Sequence, residues 1–264
     1  MGIVNSKRDA QQQLKSIAHG RCDDNTVLRE LLESNHLRPD ERDEKEPGRT
    51  LLSFATSNAS ATVVKTFLDS RKVDPDSRDA KGRTPLSYAV HGVDYRAEAI
   101  VKMLLETDRV DPDSRDNKGR TPLSYAAEMG ANTIVEKLLS SNRVDPDSRD
   151  DNGRTPLSYA AGKGYNTIVR TLLDNGKVDP ESRDTSGRTP LLWAARTKTR
   201  DLTIPLGLLQ TGKVNPASQD EQGYTALWWA IGGGCKGKVD RSISTVPCST
   251  SRKRIKREGV TRHQ

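Results

Sequence analysis

Three cysteines, four histidines and no long apolar run leave this 264-residue chain without several common kinds of site. Cys22, Cys235 and Cys248 are an odd number with no close pair, so they form no disulfide framework. No apolar secretory signal is present either. The expectation is free thiols in a reducing intracellular compartment, cytoplasm or nucleus. Asn58-Ala59-Ser60 matches a glycosylation acceptor, which has no meaning without secretion. His19, His36, His91 and His263 are scattered, so the sequence assembles neither a zinc site nor a nucleophile–base pair. No apolar stretch reaches the ~20 residues a membrane-spanning helix needs. Apolar residues make up 33% and charged residues 30%, which suits an elongated array better than one large core.

The net charge of +7 is also uneven. From Lys236 onward there are nine Lys/Arg and two acidic residues, so residues 1–235 are neutral as a whole. A nucleic-acid signal is therefore expected only from the tail and not from the rest of the chain.

What the chain does have is a repeated phrase. Asp-x-x-Gly-Arg-Thr-Pro-Leu-Ser-Tyr-Ala stands at 79–89, 116–126 and 150–160. Variants occupy 184–194 and 220–230, and a worn copy runs from Gly48 to Ala55. The phrase glycines are Gly48, Gly82, Gly119, Gly153, Gly187 and Gly223, spaced by 34, 37, 34, 34 and 36 residues. Such a period signals a stacked repeat array.

The residues of the phrase each meet a physical need. Asp116-x-x-Gly119 fits a type I turn. Thr121 suits a helix N-cap and Pro122 the first helical position, where a missing N–H costs nothing. Gly130 ends that short helix in a left-handed cap. A second helix, Thr133–Ser140, is expected to follow with Asn132 as its cap. Its apolar pairs Ile134/Val135 and Leu138/Leu139 recur as Val63/Val64 with Phe67/Leu68, Ile100/Val101 with Leu104/Leu105, and Ile168/Val169 with Leu172/Leu173. Val27/Leu28 and Leu31/Leu32 carry the same pattern. Val144-Asp145-Pro146-Asp147-Ser148-Arg149-Asp150 is an extended connector, since Pro excludes a central strand.

The Gly-x-Thr-Pro-Leu phrase, the helix pair and the period together resemble the ankyrin repeat over about residues 9–231. The resemblance implies an all-α ankyrin-repeat solenoid of helix–turn–helix units joined by protruding hairpin-like loops. The expected organisation is an N-terminal arm at 1–8, an array over 9–234 and a disordered basic tail at 235–264. Within the array, 9–47 reads as a degenerate first repeat with helices at Gln11–Ala18 and Thr26–Ser34. Further repeats start near 48, 82, 119, 153 and 187, with a partial one from 223. Insertions lengthen the inter-helix loops at His91–Arg96 and Arg196–Leu202, the second followed by Pro205 in the first turn of a helix. After Ile231 no further helix is expected, so the array ends on an uncapped apolar face carrying Trp228 and Trp229. Two departures from the family stand out. Ser87, Ser124 and Ser158 replace a histidine that links repeats, which weakens that link but leaves a residue that can still cap and pack. The connector Val-Asp-Pro-Asp-Ser-Arg-Asp resembles the variant common in long arrays of filamentous fungi.

The resemblance also implies a role: a non-enzymatic scaffold that binds a protein or peptide on its concave loop and first-helix face. The positions expected there are Ala80, Lys81, Arg83 and His91; Asn117, Lys118, Arg120, Glu128 and Met129; Asp151, Asn152, Arg154, Gly162 and Lys163; Thr185, Ser186, Arg188, Arg196 and Thr197. Arg83, Arg120, Arg154 and Arg188 would form a ladder, with Tyr224 next, that favours an acidic, extended partner. A second ladder, Arg78, Arg115, Arg149 and Arg183, is expected to neutralise neighbouring aspartates. The chain is expected to be monomeric and without a cofactor.

Other functional readings attach to the ends. Met1-Gly2-Ile3-Val4-Asn5-Ser6 matches the N-myristoylation pattern, which would make Gly2 the acylated residue of a reversible membrane adaptor. Arg252, Lys253, Arg254, Lys256 and Arg257 form a basic run that fits a nuclear import signal or an anionic contact. Gly232-x-x-x-x-Gly237-Lys238 has a phosphate-loop skeleton. But Val239 replaces the magnesium-binding hydroxyl and no strand precedes it, so it reads as a linker. Asp145-x-Asp147-x-x-Asp150 and its copies lack the central Gly and late Glu of a calcium loop and read as turn formers.

Overall fold

The computed structural model describes residues 7–20, 25–33, 40, 42, 46, 48–92, 95–197 and 202–232. Gly2, residues 233–238 of the glycine-rich loop and the basic run at 252–257 lie outside those residues, as do the three cysteines, His36 and His263.

Among the described residues there are helices and no strand. In chain order they are α1 (Lys7–Ala18), α2 (Asn25–Glu33), α3 (Leu51–Ser57), α4 (Ala61–Ser70), α5 (Pro85–Ala89), α6 (Tyr95–Leu105), α7 (Pro122–Met129), α8 (Asn132–Ser140), α9 (Pro156–Lys163), α10 (Asn166–Asp174), α11 (Pro190–Ala195), α12 (Thr203–Gln210) and α13 (Ala226–Gly232). Odd-numbered helices pack on odd and even on even, α3 on α5 and α7 on α9 in one layer, α4 on α6 and α6 on α8 in the other. Each odd helix from α1 to α11 also packs on the even helix that follows it. This is an all-α solenoid whose main helix contacts, among the described residues, lie within a unit or between neighbouring units.

The phrase sets up the first layer. Thr121 is extended (φ −96°, ψ 162°) and its hydroxyl accepts from the Ser124 N–H at 3.2 Å, while Pro122 opens α7. Thr50, Thr84, Thr155 and Thr189 do the same for α3, α5, α9 and α11. Gly130 (φ 80°) and Gly164 (φ 84°) end α7 and α9 in the left-handed region. The second layer buries Ile134, Val135, Leu138 and Leu139 of α8. At roughly 1.5–3 kcal/mol per large apolar side chain, this burial holds units too small to fold alone.

Asn132 is not the cap of α8; it is the first helical residue, and Ala131 stands at the cap without a side-chain bond. The backbone supplies the closure instead: Ala131 N–H donates to Ala126 O (3.1 Å) and Asn132 N–H to Gly130 O (3.0 Å). The insertion at His91–Arg96 also differs from expectation, because Tyr95 and Arg96 begin α6 rather than extend the loop. α12 carries Pro205 in its first turn, where the N–H has no intrahelical acceptor.

The serines that replace histidine join a buried hydroxyl chain. Thr121 Oγ1 lies 3.1 Å from Ser124 Oγ and 3.2 Å from Ser148 Oγ, in the connector that leads into the next turn. Thr84 with Ser87 and Ser114, and Thr155 with Ser158 and Ser182, repeat the arrangement. The link between repeats is therefore kept, but through hydroxyls.

The second arginine ladder favours the charged form of neighbouring carboxyls, Arg78 at Asp76, Arg115 at Asp113 and Arg149 at Asp147, and it also binds backbone. Arg78 Nη1 donates to Arg115 O (2.6 Å), Arg115 to Arg149 O (3.0 Å), Arg149 to Arg183 O (3.0 Å), and Arg183 to Gln219 O (2.9 Å). Each guanidinium ties its connector to a backbone carbonyl of the next one. Aspartates of the connectors also act on the backbone. Asp145 Oδ1 and Asp179 Oδ1 accept the Asp147 and Glu181 N–H groups at 3.0 and 2.9 Å, closing the connector bends.

Candidate interaction face

Turn tips and odd helices form one continuous face. In each turn Asp79, Asp116, Asp150 and Asp184 accept two backbone N–H bonds on Oδ1, for example from Lys118 (2.8 Å) and Arg120 (2.9 Å). Adjacent turns are joined by backbone bonds: Asn117 N–H to Lys81 O (2.9 Å), Asp151 N–H to Lys118 O (2.9 Å), Thr185 N–H to Asn152 O (2.8 Å) and Glu221 N–H to Ser186 O (3.0 Å). Gly119 needs its φ of 71°, and a Cβ there would come within 2.8 Å of Asp151 Oδ1. The tips are thus tied into a regular strip.

The side chains expected on this face divide into two groups. Ala80, Lys81, Asn117, Lys118, Asp151, Asn152 and Thr185 are exposed at the tips, with Ser186 half-buried. His91, Met129, Lys163 and Arg196 are exposed at the ends of the odd helices, and Glu128, Gly162 and Thr197 are half-buried there. The ladder arginines Arg83, Arg120, Arg154 and Arg188 are half-buried and lie deeper.

Three of those four arginines already have a close acidic partner. Arg83 places Nε (3.0 Å) and Nη2 (2.8 Å) on Asp79 Oδ2. Arg154 binds Asp150 Oδ2 through the same nitrogens at 3.3 and 3.2 Å. Arg120 pairs with Glu128, whose other oxygen lies 3.8 Å from Lys163 Nζ. Arg188 Nε stands 3.9 Å from Asp184 Oδ2, beyond hydrogen-bonding distance.

Sequence reasoning left out an aromatic column interleaved with these arginines. Phe54, Tyr88, Tyr125, Tyr159, Trp193 and Trp229 share one place in the phrase, in a chain with only two Phe, three Trp and six Tyr. Arg49 lies between Phe54 and Tyr88, 4.0 and 4.1 Å from the ring centroids. Arg120 lies between Tyr125 and Tyr159 (3.9 and 4.7 Å), and Arg196 between Trp193 and Trp229 (5.4 and 4.2 Å). Such cation–ring contacts contribute about 0.5–2 kcal/mol. The signal was present in the phrase as an aromatic just before its closing Ala, but a single repeat shows it only as a packing residue.

The same rings bond the turn aspartates. Tyr88, Tyr125 and Tyr159 hydroxyls donate to Asp79, Asp116 and Asp150 Oδ2 at 2.7, 2.6 and 2.7 Å. Trp193 and Trp229 Nε1 donate to Asp184 and Asp220 at 3.1 and 3.0 Å. Burial and the donation to Asp116 push the Tyr125 hydroxyl up to about 12, and Tyr88 and Tyr159 are raised for the same reasons. Burial alone would raise the Asp79 carboxyl, but bonds from Tyr88 and Arg83 together hold it below the ordinary value. These groups are locked in structural pairs and do not form an acid–base couple.

Elsewhere, a cavity of about 250 Å³ between α2 and α4 is lined by Arg29, Leu32, Glu33, Thr66, Asp69, Ser70 and Lys72. Lys72 Nζ donates there to Leu32 O at 2.5 Å. No group of three or more His, Cys, Asp or Glu among the described residues is placed to hold a metal ion. No helix among them is long and apolar enough to cross a membrane. At the α13 end, Leu206, Leu209, Leu227 and Ile231 are exposed.

No curated protein sequence is similar enough to this chain to match it. The family model for ankyrin repeats in three copies matches residues 16–116, 52–150, 92–184 and 132–207 in overlapping registers. The matches together span most of the chain and coincide with the helix pairs and tied turns described above, so the chain belongs to the ankyrin-repeat family.

Proposed function

We propose that the chain is a non-enzymatic scaffold that takes a protein or peptide partner on the face built from its turn tips and odd-numbered helices. Ankyrin repeats generally mediate protein–protein interaction. The observation that carries the reading is a fixed strip with changing side chains. Backbone bonds tie neighbouring turns at nearly constant spacing, while equivalent exposed tips carry Ala80, Asn117, Asp151 and Thr185, then Lys81, Lys118, Asn152 and Ser186. A pre-organised strip loses little entropy on binding, so changes at its tips alter which partner is held. An extended segment suits its repeating geometry, with Lys81, Lys118, Lys163 and Arg196 as exposed cations along it.

The test compares wild type with a variant in which Lys81, Lys118, Asn152 and Ser186 are all changed to Glu. These side chains make no contact that the fold needs, so circular dichroism and the melting curve should be unchanged. Partners captured from lysate are identified, and the affinity of each purified partner is then measured against both proteins. At least tenfold weaker binding to the variant is expected. Equal affinity for every partner would rule out the tip face as the binding surface.

A further inference from the structure

The ladder's charge balance changes along its length. The residue nine places after the turn glycine is Ser57, His91, Glu128, Gly162 and Arg196 in successive repeats. Ser57 Oγ accepts from Arg49 Nη2 at 2.7 Å, and Arg49 also holds Glu46 at 2.5 Å. Glu128 pairs with Arg120. At Arg196 the same place carries a second cation, beside Arg188 in its own repeat.

Neither of these two arginines is saturated. Asp184 Oδ1 is taken by the Ser186 and Arg188 N–H groups (both 2.9 Å) and Oδ2 by Trp193 Nε1. An indole thus replaces the phenol that bonds the equivalent aspartate in earlier repeats, and the Arg188 guanidinium sits 4.9 Å from the indole centroid. Its Nε is buried without a hydrogen-bond acceptor among the described residues. Asp220 is likewise occupied, by Gln222 and Tyr224 N–H on Oδ1 and Trp229 Nε1 on Oδ2. Arg196 makes ring contacts but no ion pair among the described residues. Partial burial and the Arg188 charge both disfavour its proton, opposed by Asp220 and Asp184. Two guanidinium groups therefore share one aromatic niche, and the nearest carboxylate oxygen, Asp184 Oδ2 at 3.9 Å from Arg188 Nε, hydrogen-bonds neither of them.

We propose that Arg188 and Arg196, flanked by Trp193 and Trp229, form a subsite for a single oxyanion, a carboxylate or phosphate carried by a bound peptide. Guanidinium N–H forks bind such groups bidentately. The subsite rests on the reading of this face as a partner surface and gives it polarity. A partner's anionic residue belongs at the α11–α13 end, since Arg83, Arg120 and Arg154 already hydrogen-bond a carboxylate and Arg188 and Arg196 do not.

The chain supplies its own probe, because all three of its tryptophans, Trp193, Trp228 and Trp229, lie at this end. Tryptophan emission of the full chain is followed at constant ionic strength with three acetylated, amidated pentapeptides. They have an alanine background and differ only at the centre: Glu, phosphoserine or Gln. A saturable change with Glu, with phosphoserine or with both, and none with Gln, is expected, and the response identifies the anion's source. Arg188→Gln and Arg196→Gln should each weaken it at least tenfold, and Arg83→Gln should not. Arg196→Glu recreates the Arg120–Glu128 pairing, so it should abolish the response while raising the melting temperature. No saturable change with either anion, an equal response with Gln, or a response that survives Arg188→Gln and Arg196→Gln would overturn the subsite. Failure here with tip-dependent partner capture intact defeats only the subsite. Anion binding with capture independent of the tips defeats the wider reading and leaves the subsite standing.

Discussion

The same leucine of the phrase has opposite surroundings in the middle of the array and at its described end. Leu123 and Leu157 are wholly buried and Leu191 is 3% exposed, whereas Leu227 is 68% exposed. The Thr-Pro/Ala-Leu context is otherwise similar, so the leucine's burial is set by whether another repeat lies against it. A repeat's stability is therefore largely a property of its neighbours, as expected of a one-dimensional stack.

The sharpest way to test that difference is to truncate the leucine at both places. Leu157→Ala leaves a cavity between α9 and its neighbours and should cost about 2–5 kcal/mol. Leu227→Ala should cost no more than about 0.5 kcal/mol, as for other exposed positions. Urea unfolding followed by circular dichroism measures both. Similar costs at the two positions would mean that α13 is covered in solution.

The buried hydroxyl chain gives the next largest contrast. Thr155 caps α9 and reaches both Ser158 and Ser182, so Thr155→Val removes a cap and strands two serines. A loss of roughly 1–3 kcal/mol is expected. Among the described residues the Thr225 hydroxyl accepts only from Trp228 N–H at 3.3 Å and is half-buried, so Thr225→Val should cost under about 1 kcal/mol. Equal losses would show that the cap matters and the link between repeats does not.

Connector carboxylates separate the regions by pH. Asp76 and Asp113 are pushed up to about 6 by burial, with the Asp111 charge adding to the rise at Asp76 and the Asp145 N–H opposing it at Asp113. One oxygen of each is buried without a partner. At the equivalent place near the end, Glu181 uses both oxygens, on Asn215 N–H (3.1 Å) and Ser218 Oγ (2.9 Å). For Asp76 and Asp113 the folded chain holds protons that the unfolded chain has released between about pH 4 and 6. Their contribution therefore improves as pH falls from 7 to 5. Asp79 acts oppositely, but its stabilisation is lost only below the ordinary carboxylate value, outside that window. Asp113→Asn should raise the melting temperature at pH 7 and flatten its rise toward pH 5. The effect should be at most about 1 kcal/mol, since solvent screens a half-exposed group. An Asp113→Asn variant with the wild-type pH profile would assign the titration elsewhere.

Much of this architecture was legible from single repeats. The turn, the threonine cap, Pro at the first helical position, Gly130 and the paired apolar residues of the even helices are all local requirements, and each has a residue type that meets it. What was not legible depends on the rotation between neighbours. Arg78, Arg115 and Arg149 are expected to neutralise aspartates of the adjacent turns; their charges do act on connector carboxyls, and the stacking adds a carbonyl of the next connector that no single repeat shows. Asn132 was expected to cap α8, yet the Gly130–Ala131 turn satisfies the backbone first. The arginine–aromatic alternation likewise needs the distance between successive odd helices. The reversal from Glu128 to Arg196 did stand in the sequence, but its meaning required knowing that the position faces the ladder arginine.

The carbonyl clamps offer the finest contrast, and here the end of the array is the richer region. Arg149 Nη1 has one bond, to Arg183 O at 3.0 Å. Arg183 Nη1 reaches Gly187 O (3.1 Å) and Gln219 O (2.9 Å), and its Nη2 lies 3.3 Å from Ser218 Oγ. Both side chains are exposed, so a single bond is worth about 0.5–1 kcal/mol at most. Arg149→Gln should fall near the bottom of that range and Arg183→Gln near the top. Because the acceptors are neutral, the losses should change little between low and high salt, unlike those of an exposed ion pair, which screening erodes. Unfolding in urea at two salt concentrations separates the cases. A loss at Arg149 that disappears in high salt would mean that the guanidinium acts only through its charge on Asp147 and that the carbonyl contact adds nothing.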